Sequence, residues 1–362
     1  MKEQNNKINY KCTILIPTYN RPNRLKRLLS YYNKYGKDFN IIIADASSNE
    51  NKRLNKKNIS LFSNLKIIYL DNYPSKILPY YKICGAVNYI NTKYTVFCAD
   101  DDFITPNGIN RSIDFLEKNP DFTIAQGYYI SFYLKNKDNR NFFWVPYPSK
   151  ESLTFSESRS RLVFYLSNSK PVTLYGVRRT KNLKMASKEI MKFTNNTMFS
   201  DLLLVTLDMV YGKIKRLDLL YGAGEIIPHS WTIRVKHLTD FIKEGTYDQQ
   251  YTQFRECLST HLSKKSNLSI VESKKIIDDA MLPLLKRIYK VRHGSPVVKI
   301  TKVLNILLPH WMYEKIRELY MDILFLKKVR MDSFWNLIDN PSFKYYDDFS
   351  KIRSHVLSQS KK

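Results

Sequence analysis

The sequence predicts an α/β protein with a mainly parallel, Rossmann-like sheet, flanking helices and a helical C-terminal region. Short apolar runs alternate with helix-like stretches over the first hundred residues, which is typical of βαβ units. Strand signals end near residue 235, and helical periodicity dominates from there onward. The chain has 362 residues, enough for one large α/β domain and a smaller appendage. We therefore expect a domain over residues 1–235 and a helical region over residues 236–362.

Four apolar runs open the predicted sheet. Each run is short and rich in β-branched or aromatic residues, as buried parallel strands are. The four runs span residues 12–16, 41–44, 65–70 and 94–99. Pro22 offers a helix start and is followed by leucines at helical spacing, and residues 80–91 are also helix-like. These stretches predict helices that connect the strands.

The rest of the predicted domain contains two more strands and one more helix. Residues 123–133 and 172–178 are predicted strands, and a polar, aromatic loop region over residues 136–158 lies between them. Residues 201–212 are rich in Leu and Val and predict a helix. The sheet is therefore expected to extend well beyond the first four strands.

The chain is strongly basic. It has 59 Lys and Arg against 33 Asp and Glu, which gives a net charge of +26. Such a charge favours an anionic partner, namely nucleic acid, a membrane surface or a phosphorylated substrate. The content of 43% hydrophobic and 25% charged residues excludes a disordered or collagenous chain.

The cysteines and the absence of long apolar runs predict a cytoplasmic location. Cys12, Cys84, Cys98 and Cys257 are widely spaced and form no CxxC pair, which favours reduced thiols. Residues 1–11 do not resemble a secretory leader, and no run reaches the roughly 18–20 apolar residues of a membrane span.

Acidic residues follow two of the predicted strands directly. Asp45 ends the second strand, and Asp100, Asp101 and Asp102 follow the fourth. Parallel sheets bind ligands at the carboxyl ends of their strands, and three adjacent carboxylates ionise cheaply only beside a cation. Mg²⁺ or Mn²⁺ bridging carboxylates to phosphates would meet that need. The alternative is a solvated acidic turn or a helix N-cap.

Three motifs in order resemble the nucleotide-sugar-binding core of family 2-like glycosyltransferases with the GT-A fold. They are ILIPTYNR at residues 14–21, IADASS at residues 43–48 and VFCADDDF at residues 96–103. The resemblance covers about residues 10–235. It implies a GT-A sheet and an enzyme that uses a sugar nucleotide.

The resemblance assigns donor-binding roles. It implies that the nucleotide pocket is lined by Pro17, Thr18, Tyr19 and Arg21. It also implies that Asp45 accepts a hydrogen bond from the base, typically uracil. Lys82 lies near the point where relatives carry an arginine and is a substitute candidate for nucleotide contact.

The acidic cluster corresponds to the DxD motif of these enzymes, which contacts ribose and holds Mn²⁺ or Mg²⁺ on the diphosphate. The resemblance favours Asp102 as a metal ligand and Asp100 or Asp101 as the ribose contact, with Asp100 also a candidate ligand. Ala99 stands where many relatives have the first acid. His229 matches a histidine that completes the metal shell or contacts diphosphate, and its alternative is a structural role.

The resemblance also places a catalytic base at Asp201, which opens a predicted helix. A carboxylate there can remove the proton of the acceptor hydroxyl in an inverting reaction. The alternative is an aspartate that only stabilises the helix start. Glu225 is the next candidate for the base. Arg234 is a candidate to stabilise the leaving phosphate, or else an ordinary surface arginine.

Residues 297–330 contain apolar residues at helical spacing, and seven Lys and Arg residues lie among them. One interpretation is a helix that lies on an anionic membrane. The other is a helical subdomain that packs on the catalytic core.

Taken together, the motifs predict a metal-dependent, inverting glycosyltransferase. It would move a sugar from a nucleoside diphosphate, typically UDP, to a glycan or lipid-linked acceptor in the assembly of capsule or lipopolysaccharide. It would act in the cytoplasm or at the inner face of the membrane. One alternative is a nucleotidyltransferase, although residues 17–22 lack the glycine-rich loop expected there. Another is a basic, non-catalytic nucleic-acid-binding protein, although no recognition motif supports it and a nucleic-acid partner is not expected.

Overall fold

The computed structural model describes most of the α/β part of the chain and several helices after it. The described residues are 10–75, 77, 79–134, 141–144, 152–168, 173–193, 199–225, 242, 244–294, 341–342 and 344–360.

The described residues form nine strands. They are β1 (Cys12–Thr18), β2 (Asn40–Asp45), β3 (Lys66–Leu70), β4 (Tyr94–Phe97), β5 (Asp102–Ile104), β6 (Phe122–Leu134), β7 (Asn141–Trp144), β8 (Val177–Arg179) and β9 (Lys213–Glu225).

Ten α-helices accompany these strands within the described part of the chain. They are α1 (Pro22–Tyr35), α2 (Asn49–Ser60), α3 (Pro79–Ala86), α4 (Pro106–Lys118), α5 (Ser158–Asn168), α6 (Thr180–Ile190), α7 (Ser200–Tyr211), α8 (Tyr247–Ser266), α9 (Ile270–Gly294) and α10 (Tyr346–Ser360).

All strands belong to one sheet, in the order β3-β2-β1-β4-β8-β6-β9-β5, with β7 paired to β6. Strands β1 to β4 are mutually parallel, and β9 is parallel to β6. Strands β8, β5 and β7 pair antiparallel to their neighbours. Six strands therefore run in one direction and three in the other, which confirms the predicted α/β class with a mainly parallel sheet.

The sheet is covered on both faces, as its sequence pattern requires. Ile14 and Ile16 face a core built with α1, α4 and α10, whereas Leu15 faces a core built with α3 and α5 to α9. Alternate residues of a strand point to opposite faces, so a run that is apolar throughout is buried on both. The described helices after residue 236 thus pack on both faces of the sheet. The domain boundary near residue 235 remains a prediction.

Three strands were not predicted as such. β5 has three residues and begins inside the acidic cluster, β7 lies in the region expected to be a loop, and β9 lies beyond the six strands predicted above. β9 begins with the sequence KIKRLD, and its charged residues interrupt the apolar pattern that predicts a strand. Its second half is buried against β5 and β6.

Candidate functional site

The carboxyl ends of β1, β2 and β4 meet at one edge of the sheet. Thr18 at the end of β1 pairs in register with Asp45 at the end of β2, and the turn after β4 carries Asp100 and Asp101. Ligands of open α/β sheets bind at this edge. We call Thr18, Arg21, Lys82, Asp100 and Asp101 the strand-end site.

Thr18 and Arg21 converge on the aspartates of the strand-end site. The Thr18 hydroxyl donates to Asp100 Oδ2 at 2.7 Å. The Arg21 guanidinium donates to Asp100 Oδ1 at 3.1 Å and to Asp101 Oδ2 at 2.8 Å. The structure therefore brings together four of the sequence-predicted residues, with the Arg21 guanidinium between the carboxylates of Asp100 and Asp101. Charge-assisted hydrogen bonds of this kind are stronger than neutral ones and fix geometry.

Lys82 also reaches the strand-end site. It lies on α3, is 4% exposed, and its ammonium donates to the backbone carbonyl of Thr18 at 2.7 Å. Burial lowers the pKa of Lys82 to about 8, although the charges of Asp100 and Asp45 act in the opposite direction. A lysine with this acidity is still mostly charged at pH 7, so the site holds two cations beside its acids.

Burial raises the pKa values of the aspartates in the strand-end site. For Asp100, burial outweighs the charge of Arg21 and the hydrogen bond from Thr18, so its pKa lies above the ordinary value. For Asp101, burial and then the charge of Asp100 raise the pKa to about 6, against the pull of Arg21. Carboxylates held in this state favour a further positive charge in their surroundings.

Asp102 lies in β5 and faces a different environment from its two neighbours. Burial and then the charge of Asp101 raise its pKa well above the ordinary value, while the hydroxyls of Tyr129 and Tyr175 favour the ionised form. Asp102 is opposite Gly224 of β9, where a Cβ atom would lie 2.6 Å from its Oδ1. Only glycine leaves room for this carboxylate.

The aspartates supply the kind of ligand that Mn²⁺ and Mg²⁺ take, because both ions prefer carboxylate oxygens. Asp101 is the most exposed of the three, at 9%. Within the described residues, the three aspartates do not place one oxygen each within 4.8 Å of one another. The donor set therefore fits a metal held by one or two aspartates together with substrate and water oxygens.

Asp45 is fully buried and holds the loop after β2. Its Oδ1 accepts from the backbone N–H of Ser47 at 2.7 Å, and its Oδ2 accepts from Asn55 Nδ2 at 2.7 Å and from the Tyr69 hydroxyl at 2.6 Å. These three donors keep the carboxylate at the strand end beside Thr18. Pro17 and Tyr19 flank Thr18, and Tyr19 is 40% exposed.

Asp201 lies in the first turn of α7, as the sequence predicts. Its Oδ1 accepts from the Leu202 N–H at 2.8 Å, and Tyr80 forms a side-chain hydrogen bond with it. Burial raises the pKa of Asp201 to about 6, and these hydrogen bonds moderate the shift. Burial and then the charge of Asp102 raise the pKa of Tyr175 well above its ordinary value.

Glu225, the second candidate for the base, is held by arginines. Arg24 donates to its Oε1 at 3.2 Å, and Arg27 also pairs with it. Burial acts to raise the pKa of Glu225, but Arg27 and Arg24 outweigh it, and the pKa falls below the ordinary value. The Glu225 N–H donates to the Asp101 carbonyl at 3.1 Å. These contacts suit a residue that anchors the acidic turn, and a base at Glu225 stays a prediction.

Several residues of the site could not be singled out from the sequence. Asn55 and Tyr69 hold Asp45 through hydrogen bonds, and both come from other elements of the fold. Tyr80 acts on Asp201, and Tyr129 and Tyr175 act on Asp102, again from distant elements. In a chain with 26 tyrosines, no local signal marks these four. His229, Arg234 and residues 297–330 lie outside the described residues.

A family model and solved structures resemble this chain. Residues 13–179 match the model described as "Glycosyl transferase family 2". The structure of S. aureus TarS 1–349 in complex with UDP-GlcNAc superposes with a TM-score of 0.53 at 14% identity, covering 97% of this chain and 90% of that one. A structure of S. aureus TarS superposes with a TM-score of 0.50 at 13% identity.

The superposition on TarS covers 80% of this chain and 45% of that one, so the chain spans less than half of that TarS polypeptide. At these identities the likeness shows a shared fold. A search of curated proteins gives no match. Within the described residues, none of the helices has the length and apolar character needed to cross a membrane.

Proposed function

Because residues 13–179 match the model of glycosyl transferase family 2, we propose that the chain transfers a sugar from a nucleoside diphosphate to an acceptor hydroxyl with inversion. The observation that carries the proposal is the convergence of Thr18, Arg21 and Lys82 on Asp100 at the carboxyl edge of the sheet. This edge is where such a fold binds its ligand. A site with two buried or half-buried cations beside carboxylates suits a diphosphate and its counter-ion.

The donor would bind across the ends of β1 and β2. Arg21 and Lys82 lie close enough to the strand ends to contact diphosphate oxygens, and Arg234 is proposed to join them. Asp45 would read the base at the buried end of the pocket, where Asn55 and Tyr69 already fix its carboxylate. Pro17 and Tyr19 would line the nucleotide pocket on either side of Thr18.

A divalent cation, Mn²⁺ or Mg²⁺, would be held by the acidic cluster, with Asp102, Asp100 and His229 as the proposed ligands and Asp101 as the ribose contact or an additional ligand. When bound, such a cation offsets charge on the diphosphate leaving group. Asp101 is more exposed than Asp100, and Asp102 faces Tyr129 and Tyr175. Comparison of Asp101→Asn with Asp102→Asn therefore decides which of the two holds the cation.

Asp201 would act as the general base. Its pKa of about 6 leaves it ionised at pH 7, yet basic enough to accept a proton as the acceptor oxygen bonds to the sugar. Tyr80 and the Leu202 N–H orient the carboxylate through their hydrogen bonds. The reaction is a single displacement and requires no covalent enzyme intermediate.

The setting proposed for this reaction is the assembly of a surface polysaccharide, such as capsule or lipopolysaccharide, from a cytoplasmic sugar nucleotide. A glycan or a lipid-linked sugar would supply the acceptor hydroxyl. The net charge of +26 supports a peripheral position on an anionic inner membrane face.

The first test measures which nucleotide stabilises the fold. Thermal unfolding is followed with UDP, GDP and CMP, each with and without Mn²⁺, and then with UDP-GlcNAc, the ligand in the TarS 1–349 complex. A ligand at 100 times its Kd stabilises the folded state by about 2.7 kcal/mol, which such a measurement detects. We expect Mn²⁺-dependent stabilisation by one nucleoside diphosphate.

The matched variants are Asp102→Asn, Asp101→Asn and Asp45→Ala. The variant that lacks the metal ligand should lose the Mn²⁺-dependent part of the stabilisation, and Asp45→Ala should weaken binding by about 1–3 kcal/mol because a donor on the base loses its partner. Stabilisation by no nucleoside diphosphate, or equally by all bases in wild type and Asp45→Ala, would contradict the proposed donor site.

A further inference from the structure

A second group of potential metal ligands lies away from the strand-end site, between α6 and α8. Glu189 is in the last turn of α6, and Cys257 and His261 are one helical turn apart on α8. One ligand atom from each of the three lies within 4.8 Å of the others. All three side chains are half-buried. We call these residues the Glu-Cys-His cluster.

The distances within the Glu-Cys-His cluster resemble the edges of a zinc tetrahedron. Cys257 Sγ lies 3.6 Å from Glu189 Oε2, and His261 Nε2 lies 3.8 Å from Glu189 Oε1. Zinc bonds of about 2.3 Å to sulfur and about 2.0–2.2 Å to nitrogen and oxygen give tetrahedral edges of about 3.4–3.6 Å. Because the two distances end on different oxygens of Glu189, a zinc ion bound to one of these oxygens requires the side chains to reorient around it.

His261 is already oriented as a metal ligand. Its Nδ1 is hydrogen-bonded to the Tyr211 hydroxyl at 2.7 Å, which leaves Nε2 directed at Glu189. A partner on the second ring nitrogen is the usual companion of a metal-bound histidine, because it fixes the ring and its tautomer. Tyr211 is on α7, so three helices contribute to the arrangement.

Lys192 is the cation that now balances Glu189. Its ammonium donates to both carboxylate oxygens, at 2.9 Å and 2.8 Å. The Lys192 side chain is 66% exposed, so it can leave the carboxylate for water at little cost. A divalent ion competes with Lys192 for the Glu189 carboxylate. It also binds Cys257 and His261, which an ammonium group cannot use as ligands.

From this geometry we propose that Glu189, Cys257 and His261 form a zinc site with water as the fourth ligand. The ion would join α6, directly after the segment that matches the family model, to α8 in the helical part of the chain. Its role is structural, since it would replace the contacts of Glu189 with Cys257 and His261 by coordinate bonds between the two helices. The proposal does not depend on which reaction the strand-end site performs.

The test uses the full chain, stripped of metal by a chelator and titrated with Co²⁺ as a spectroscopic substitute for Zn²⁺. A cobalt–thiolate bond gives a charge-transfer absorption that carboxylate sites lack. The chain has four cysteines, and the other three are buried, at 0–3% exposure. We expect one equivalent of Co²⁺ to give the thiolate absorption and Zn²⁺ to displace it.

Variants show which residues give rise to the cobalt–thiolate absorption. Cys257→Ser and His261→Gln should abolish or strongly weaken it, whereas Cys84→Ser and Asp101→Asn should retain it. Tyr211→Phe should weaken Zn²⁺ binding by about 10–100-fold. Lys192→Met should tighten binding, because a competing cation is removed. Absence of a thiolate absorption in wild type, or its persistence in Cys257→Ser, overturns the proposal.

Discussion

Helix α7 carries two buried carboxylates of similar acidity in different surroundings. Asp201 lies in its first turn and Asp208 near its end, and burial raises the pKa of each to about 6. The groups that moderate the two shifts differ. Asp208 faces the guanidinium of Arg178 at 3.2 Å, whereas Asp201 is moderated by the Leu202 N–H and the Tyr80 hydroxyl.

The difference shows that a raised pKa does not by itself identify a catalytic group. Arg178 also lies 4.9 Å from the centre of the Phe97 ring and donates to the carbonyls of Thr173 and Leu174, so it and Asp208 are fixed within the core. Among the residues that the structure describes, the groups that hold Asp201 are neutral donors and none of them carries an opposing charge. The nature of the partner therefore distinguishes the proposed base from a structural ion pair. Four measurements test whether Asp201 acts in catalysis and Asp208 in stability.

The largest effect is expected on catalysis in Asp201→Asn. Loss of a positioned base should lower kcat by about 10²–10⁴-fold. Donor affinity should stay near that of wild type, and stability should change by less than about 1 kcal/mol because Asn is also accepted at a helix start. Transfer rates, Mn²⁺–UDP binding and thermal unfolding of the same preparation give the three values. Joint loss of donor affinity and fold would make Asp201 structural.

Asp208→Asn should act on stability instead. Arg178 is fully buried, so removal of its counter-charge leaves a cation with reduced compensation and should destabilise the fold by about 1–3 kcal/mol. Denaturant unfolding measures this loss. At a temperature where the variant stays folded, its kcat should remain within a few fold of wild type. A large catalytic defect in a folded Asp208→Asn protein would contradict the separation of roles.

The pH dependence of transfer offers a third comparison. The base must be deprotonated, so kcat should fall as the pH drops through about 6, the pKa of Asp201, and level off above pH 7. The same midpoint is expected in Asp208→Asn. A profile measured in saturating donor and acceptor checks this. A midpoint that moves with Asp208 and not with Asp201 would assign the titration to the ion pair.

Tyr80→Phe should give the smallest effect. Its hydroxyl stabilises the ionised form of Asp201, so its removal should shift the midpoint of the kcat profile upward by about one pH unit or less. A hydrogen bond that contributes about 0.5–1.5 kcal/mol corresponds to roughly 2- to 13-fold in rate. Tyr81→Phe, at the next position of α3, is the matched control. Equal shifts in both variants would remove Tyr80 from the site.

The strands that were predicted correctly from the sequence are those whose two faces have similar surroundings. Strands β1, β2 and β4 are buried on both faces, so their sequences are continuous apolar runs. β9 begins with alternating charges and continues through Gly222 and Gly224, which β-propensity disfavours. A Cβ at Gly222 would lie 2.7 Å from the Phe103 carbonyl oxygen. The close contact with β5 therefore explains the glycine at this position.

The residues of the candidate site also fall into two groups, those that local sequence features mark and those that they do not. Asp45 and the acidic cluster were singled out because they follow predicted strands directly, and the family resemblance places Asp201 at a predicted helix start. Tyr80, Tyr129 and Tyr175 are brought to them by packing between distant elements, and no spacing rule foretells such contacts. The environment of Asp102 likewise depends on its pairing with β9.

The position of α10 has a consequence for how the protein is made. Phe349, Ile352 and Val356 of this helix are buried against the face formed by α1 and α4, which the ribosome produces much earlier. Domains fold as they emerge, N-terminal parts first, and uncovered apolar surface favours aggregation. During synthesis this face therefore stays exposed until α10 has left the exit tunnel, and it is the surface that a chaperone would need to shield.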